Sequence, residues 1–142
     1  MFKPPEQAKQ NLLFYVAQDL DQSIRAHVQQ LVDQLGASRV WSIGPPCFID
    51  ETDEQGAQLV CGSLEIYSAL RPDVLSFDLD AQNLEDVERL IIAVRILSEK
   101  ESLSFEFQLG TAYVGSIADG VIDRVLLDGL LVPWREKLRG MP

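Results

Sequence analysis

The residues whose chemistry stands out in this sequence are carboxylates, and they are concentrated in one stretch of the chain. Between Asp50 and Glu88 there are eleven acids and a single base, Arg71. The rest of the chain balances eleven acids with eleven bases, so this stretch carries the whole net charge of −10. A concentrated negative field attracts cationic partners and speeds their association. We therefore expect a surface that binds a more basic protein.

The expected surface combines the acids of a predicted turn, two aspartates before the second predicted helix, and a stiff apolar run that precedes the turn. Two consecutive prolines make that run a preformed contact loop of low entropy, or simply a kinked edge strand. The residues expected to bind the partner are Asp50, Glu51, Asp53, Glu54, Asp78, Asp80, Pro45, Pro46 and Phe48.

These acids have two other interpretations. They could form a solvated face that only keeps the protein soluble, or they could bind a metal ion. Solubility requires no partner and no special arrangement of charges. Calcium loops place carboxylates at alternating positions, with a glycine at the sixth and a glutamate at the twelfth. The spacing of Asp50, Asp53 and Glu54 before Gly56 does not match that pattern. We expect no metal and no other cofactor.

The sequence contains no recognisable catalytic constellation. The only histidine, His27, lies beside an apolar stripe, and the two cysteines, Cys47 and Cys61, do not form a C-x-x-C pair. Nucleotide-binding glycine patterns, zinc-protease motifs and nucleophile elbows are absent from the sequence. The acids fall mostly in predicted turns, where water keeps carboxylates ionised rather than raising their pKa values for acid–base work. We do not expect an enzyme.

Length and composition indicate one globular domain over residues 1–142, with 46% apolar residues. The negative charge argues against binding to nucleic acid or anionic membranes. Two cysteines are too few for a disulfide framework, so reduced thiols are expected, although a bridge between neighbouring strands is an alternative. Without a recognisable secretory leader or a membrane-length apolar run, the expected location is the cytoplasm.

The first element has two interpretations. Apolar residues recur every fourth position from Ala8 to Val32, and Gly36 follows as a C-cap, which favours a helix over residues 6–35. A buried strand over the run 12–17 is the alternative interpretation. In that case Asp19 or Asp21 would cap a shorter helix that ends at Leu35.

The remaining pattern predicts two hairpins that alternate with helices. Alternating residues over 39–68, broken at 44–46, predict the first hairpin, and strict alternation over 102–109 begins a second one that closes at Asp119-Gly120. Between them, Asn83 is expected to cap an apolar helix, after 74–79 as a short strand or an irregular crossing. Asp123 is expected to cap a last helical stretch over 124–139, broken into two short turns.

These elements predict an α+β domain in the order αββαββα. Short connections force antiparallel pairing, giving a sheet of four to five strands with helices on one face. If residues 12–17 are a strand, the alternative is a ferredoxin-like βαββαβ core with a further strand and helix.

Two functional hypotheses follow. The first is a small acidic protein-binding module that engages a basic partner, like inhibitor or immunity proteins by analogy only. The second is a self-associating structural or scaffold domain, a homodimer formed through the edge near Pro45-Pro46 or through the apolar second helix.

Overall fold

The computed structural model describes residues 9–17, 20–52, 54–56, 58–67 and 77–139. The elements in chain order are β1 (Lys9–Val16), α1 (Gln22–Ala37), β2 (Cys47–Thr52), β3 (Gln58–Tyr67), α2 (Phe77–Glu101), β4 (Ser104–Leu109), β5 (Ala112–Ala118) and β6 (Val121–Ile122). A C-terminal helical segment follows, made of α3 (Arg124–Leu126), a π-helical turn (Leu127–Leu131) and α4 (Val132–Arg139). The fold is α+β, with six strands rather than the expected four to five.

The favoured prediction, a helix over residues 6–35, is wrong. The alternative is confirmed, because the run 12–17 belongs almost entirely to a β-strand. The chain forms β1 first, and α1 begins after the N-cap Asp21, whose Oδ1 accepts the N–H of Ile24 at 2.8 Å. Four-residue spacing fits both structures, because Leu12 and Val16 lie two strand periods apart. The first six elements therefore run βαββαβ. Asp19 and Ala8 lie outside the described residues.

Helix α1 ends slightly later than expected, and the strand before the prolines does not form. Gly36 lies inside the helix, and the N–H of Ser38 closes it by donating to the carbonyl of Leu35. Residues 39–46 are irregular; Trp41 is buried there, and its Nε1 donates to the Gly36 carbonyl at 3.2 Å. The first hairpin is therefore confirmed in its shorter form, β2 with β3.

Helix α2 begins six residues before the expected cap. Asn83 lies inside the helix and is fully buried, where its Oδ1 accepts the N–H of Tyr67 at 2.7 Å. Residues 77–79, expected as a strand or a crossing, form the start of this helix. Residues 74–76, the first part of that predicted strand or crossing, lie outside the described residues, as does Arg71.

The C-terminal half follows the prediction more closely. Strands β4 and β5 form the second hairpin, and the turn at Asp119-Gly120 leads into the short extra strand β6. Asp123 is the N-cap as predicted, accepting the N–H of Leu126 at 2.9 Å. The expected break near Gly129 is instead a π-helical turn, so helical structure continues from 124 to 139.

All strand pairs are antiparallel, and the sheet order is β2-β3-β1-β4-β5-β6. Even-numbered residues of β1 and β3 point to one side of the sheet, together with the residues that pair with them on the neighbouring strands. The apolar side chains on this side form the main core with the helices. At its centre, Phe14 packs edge-on against Phe105, with ring centroids 5.9 Å apart. A Cβ on Gly62 would lie 2.2 Å from the Phe14 ring, so this glycine makes room for the aromatic side chain.

The core shows that the helices pack on one face of the sheet. It includes inward strand residues together with the buried stripes of α1, α2 and the C-terminal segment. The opposite strand positions, such as Leu13, Tyr15 and Ile49, do not belong to it. In the described part of the chain, the second face of the sheet is therefore not covered by a helix, except at the end of β3, where Tyr67 packs with Ile43 and with Leu79 of α2. We call it the open face.

Candidate functional site

The open face is built from two rows of side chains that run across five strands. The register aligns residues from β2, β3, β1, β4 and β5 in that order. Because adjacent strands lie about 4.8 Å apart, each row spans about 19 Å. The first row is Ile49, Cys61, Tyr15, Glu106 and Ser116, and the second is Cys47, Ser63, Leu13, Gln108 and Tyr113.

Apolar side chains are distributed across this face, from β2 at one edge to β5. Leu13, Tyr15 and Ile49 are half-buried although no helix covers them. Leu59, beside the first row on β3, is 47% exposed, and Tyr113 is 53% exposed. Such an arrangement of partly exposed apolar and aromatic groups is typical of surfaces that bind other proteins.

Carboxylates flank the apolar side chains. At one end of the apolar patch, Glu51 on β2 lies opposite Leu59, and at the other end Glu65 on β3 lies opposite Asn11. Glu106 is on β4, the strand between β1 and β5. Among the described residues, neither Glu51 nor Glu65 has an ion-pair partner, and both are exposed. Glu51, Glu65 and Glu106 therefore place three carboxylates on this face.

Two ionisable groups in the first row are altered by their neighbours. The hydroxyl of Tyr15 donates to Glu106 Oε2 at 2.8 Å. This hydrogen bond, together with burial and the charge of Glu106, raises the pKa of Tyr15. Burial, followed by the charge of Glu51, raises the pKa of the Cys61 thiol. Both groups are therefore held in their neutral forms, which suits an apolar contact surface.

The predicted binding residues are not collected on one surface. Asp50 and Glu51 are adjacent on β2 and point to opposite faces. Asp50 accepts hydrogen bonds from Gln58 and from the guanidinium of Arg25, and these bonds lower its pKa. Its charge is therefore balanced inside the hairpin and against α1. Glu51 and Glu54 remain exposed, and Asp53 lies outside the described residues.

Asp80, the most C-terminal aspartate of the predicted surface, is buried. Only 1% of its area is exposed, and its two oxygens accept from Trp134 Nε1 at 2.8 Å and Lys137 Nζ at 2.6 Å. It joins α2 to α4 and is not available to a partner. Asp78, one half-turn earlier on α2, is exposed.

The acids further along α2 are also paired within the chain. Asp86 is buried, accepting the N–H of Ser42 at 2.9 Å and lying 3.2 Å from an Arg39 guanidinium nitrogen. Glu88 accepts two bonds from Arg135, at 2.7 and 3.1 Å. Much of the acidic stretch therefore stabilises the helical layer by pairing with bases from other segments.

The apolar part of the predicted surface is divided in the same way. Pro45 is exposed, whereas Pro46 is buried and cannot touch a partner. Phe48 is half-buried against the core, with the Arg25 guanidinium 5.6 Å from its ring centroid. Of the predicted residues that the structure describes, only Glu51 lies on the open face described above.

Sequence reasoning missed the open-face residues Leu13, Tyr15, Leu59, Glu65 and Glu106 as binding candidates. The signal that identifies them is alternation: once 12–17 is a strand, its odd-numbered positions must face away from the core. Leu13 and Tyr15 then belong to the same surface as the odd-numbered positions of β3.

Other chemistry is sparse in the described ranges. No group of three or more His, Cys, Asp or Glu side chains there could hold a metal ion. His27 Nε2 lies 3.6 Å from Glu101 Oε1 on the helical layer. Cys47 and Cys61 are both free thiols, one exposed and one buried. The described helices include none that is long and apolar enough to cross a membrane.

Comparison with known proteins found no matching family model, no similar curated protein and no similar solved structure.

Proposed function

We propose that this protein is a protein-binding module whose open face binds a basic partner. The observation that carries the proposal is a patch of partly exposed apolar and aromatic side chains flanked by two exposed glutamates, Glu51 and Glu65. The proposal keeps the basic partner expected from the sequence. It moves the contact from the acidic turn and α2 to the outer face of the sheet.

Apolar contact supplies the affinity in this proposal. Leu13, Tyr15, Ile49 and Leu59 lose accessible area when a partner covers them, and burying apolar area contributes about 25 cal/mol per Å². Tyrosine is enriched at protein interfaces because it combines a large apolar ring with a hydrogen-bonding hydroxyl. Tyr15 and Tyr113 give the open face two such rings.

Charge supplies the selectivity. Lysines or arginines of a partner would meet Glu51 and Glu65, which lie at opposite ends of the apolar patch. Like charges would be repelled by the same glutamates, so acidic surfaces are rejected. The preferred partner is therefore a segment or surface that alternates apolar and cationic side chains.

The test uses a synthetic peptide of alternating leucine and lysine as the probe, with an alternating leucine–glutamate peptide of equal length as its counterpart. Titration calorimetry at low and high salt measures binding to the wild type and to the Glu51→Lys/Glu65→Lys variant. We expect the wild type to bind the leucine–lysine peptide, more weakly at high salt. The variant should lose about tenfold in affinity at low salt, because two charge contacts become repulsive.

A matched control separates local from overall charge. The variant Asp33→Lys/Asp128→Lys makes the same change in net charge on exposed positions of the helical layer. It should keep the wild-type affinity, and backbone amide NMR shifts on peptide addition should cluster on β1 and β3. Equal loss of affinity in both variants, or shifts confined to the helices, would overturn the proposal.

A further inference from the structure

The outer side of α2 carries two isoleucines that the core does not use. Ile92 is 42% exposed and Ile96 is 54% exposed, and they lie one turn apart on the longest helix of the described chain. The helix buries the opposite stripe, which includes Leu90 and Val94. Exposed isoleucines on a single helical line are costly in water, and a partner surface would remove that cost.

Charged residues continue the same line at both ends. Glu85 and Arg89 precede the isoleucines and Glu99 follows them, at alternating spacings of four and three residues that keep all five on one face of a helix. Arg89 is 58% exposed, and its ion pair, with Glu85, is a loose one of 3.9 Å. Glu99 is exposed on the same side.

The charges are arranged symmetrically about the midpoint between the isoleucines. Arg89 lies three residues before Ile92, and Glu99 lies three residues after Ile96. When two such helices pack antiparallel about a two-fold axis at this midpoint, Ile92 faces Ile96 of the other copy. Arg89 then faces Glu99 of the other copy, and the symmetry repeats both contacts.

We infer that this face of α2 binds a second copy of the chain, forming an antiparallel two-fold dimer. A parallel arrangement would place Arg89 against its own equivalent and Glu99 against its own, which is repulsive. The adjoining cleft of about 500 Å³ between α1 and α2, lined by Leu31, Leu35 and Leu97, extends the apolar area beside Ile96. The open face lies on the other side of the sheet and stays uncovered in this dimer.

The first test is sedimentation velocity of the full chain over a wide range of concentration. We expect a reversible dimer for the wild type and at least about a hundredfold weaker association for Ile96→Asp, because both copies lose a buried isoleucine. Val125→Asp is the matched control, since Val125 is 51% exposed but lies on α3. It should associate like the wild type.

The second test uses charge reversal to read the geometry. Arg89→Glu and Glu99→Arg should each weaken self-association, because each creates two like-charged contacts. Mixing the two variants should restore a dimer of one chain of each kind, in which both contacts are attractive, and the double variant should restore the homodimer. These surface changes leave the buried stripe of α2 intact, and circular dichroism verifies the fold.

Several outcomes would overturn the inference. They are a wild type that stays monomeric at every concentration, a dimer that Ile96→Asp leaves unchanged, and a dimer that Val125→Asp weakens as much as Ile96→Asp does. Single charge reversals that do not weaken association would overturn the antiparallel geometry. None of these results depends on binding at the open face, which the peptide titration measures separately.

Discussion

Trp134 and Asp80 meet through a 2.8 Å hydrogen bond between the indole Nε1 and a carboxylate oxygen, across 54 residues of sequence. Lys137, one turn further along α4, holds the second oxygen of the same carboxylate at 2.6 Å. The first turn of α2 is thereby tied to the last helix by one buried acid. A residue that looks like surface charge in the sequence is a structural link in the fold.

Replacing this acid should destabilise the protein strongly. Asp80→Ala leaves the Lys137 ammonium and the Trp134 N–H without their acceptor, and removing one partner of a buried pair costs about 3–5 kcal/mol. Urea unfolding, followed by circular dichroism, measures the free energy of unfolding. Asp78→Ala, in the same turn but exposed, should change that free energy by less than about 0.5 kcal/mol. Equal effects of the two substitutions would contradict the structural role of Asp80.

The N-cap Asp123 should contribute to stability in a way that depends on pH. Burial acts to raise its pKa, but hydrogen bonds from Leu126, Ser116 and Tyr113 together lower it. A lowered pKa in the folded state means that the contribution is present above the ordinary value of 3.8 and is lost as the pH falls through the folded value. At neutral pH, Asp123→Ala should cost about 1 kcal/mol in unfolding free energy.

Denaturant unfolding at neutral and acidic pH checks this prediction. The difference between Asp123→Ala and the wild type should narrow as the solution becomes more acidic. Asp128→Ala, an exposed change in the neighbouring π-helical turn, provides the reference and should show no such narrowing. A constant difference across pH would mean that the charge of Asp123 does not matter.

Gly62 should not tolerate a side chain. Its Cβ would lie 2.2 Å from the Phe14 ring, at the centre of the core. Because packed interiors relax only partially, Gly62→Ala should lower the free energy of unfolding by about 1–3 kcal/mol. At Gly44 an added Cβ meets nothing within 4 Å. Gly44→Ala should therefore change the free energy of unfolding by less than about 1 kcal/mol. Thermal melts of the two variants give the comparison.

The contact between Tyr15 and Glu106 should be visible in an alkaline titration. Because that hydrogen bond raises the pKa of Tyr15, Glu106→Ala should lower it toward the ordinary value of 10.0. The tyrosinate absorbance, assigned by difference from Tyr15→Phe, reports the change. Glu65→Ala removes a different open-face carboxylate and should leave the titration unchanged; a shift of equal size would refute a specific contact.

The same contact has a consequence for stability. A pKa that is raised in the folded state favours the protonated phenol, so its contribution is complete below the pKa of the unfolded chain. It is lost as the pH rises through the higher folded value. Unfolding free energy should therefore fall less steeply at alkaline pH in Glu106→Ala than in the wild type.

Strands and caps that depend on local chemistry were predictable from the sequence. The strand predicted from the alternation at 102–109 and the predicted N-cap Asp123 were both confirmed, because each depends on residues that are neighbours in the sequence. Residues 12–17 were assigned wrongly because a spacing of four satisfies both a helix and a strand. Their true state depends on pairing with Leu64 and Leu109, which lie far away in the sequence.

The acidic stretch illustrates a different limit. Counting charges located the excess between Asp50 and Glu88, but a count does not say which acids find a base. Arg25, Lys137 and Arg135 come from distant segments, and only the fold brings them to Asp50, Asp80 and Glu88. The exposed acids of the open face, Glu51 and Glu65, became apparent only when strand direction and register were known.

The central position of β1 determines when this protein can finish folding during its synthesis. This strand precedes both of its partners in the chain, and its second partner, β4, ends at Leu109. A nascent chain can pair β1 with β3 once Tyr67 has been made, but the other side of β1 stays unpaired until β4 follows, after more than two thirds of the sequence printed above. Chaperones that shield apolar segments would have their longest opportunity to act at this strand.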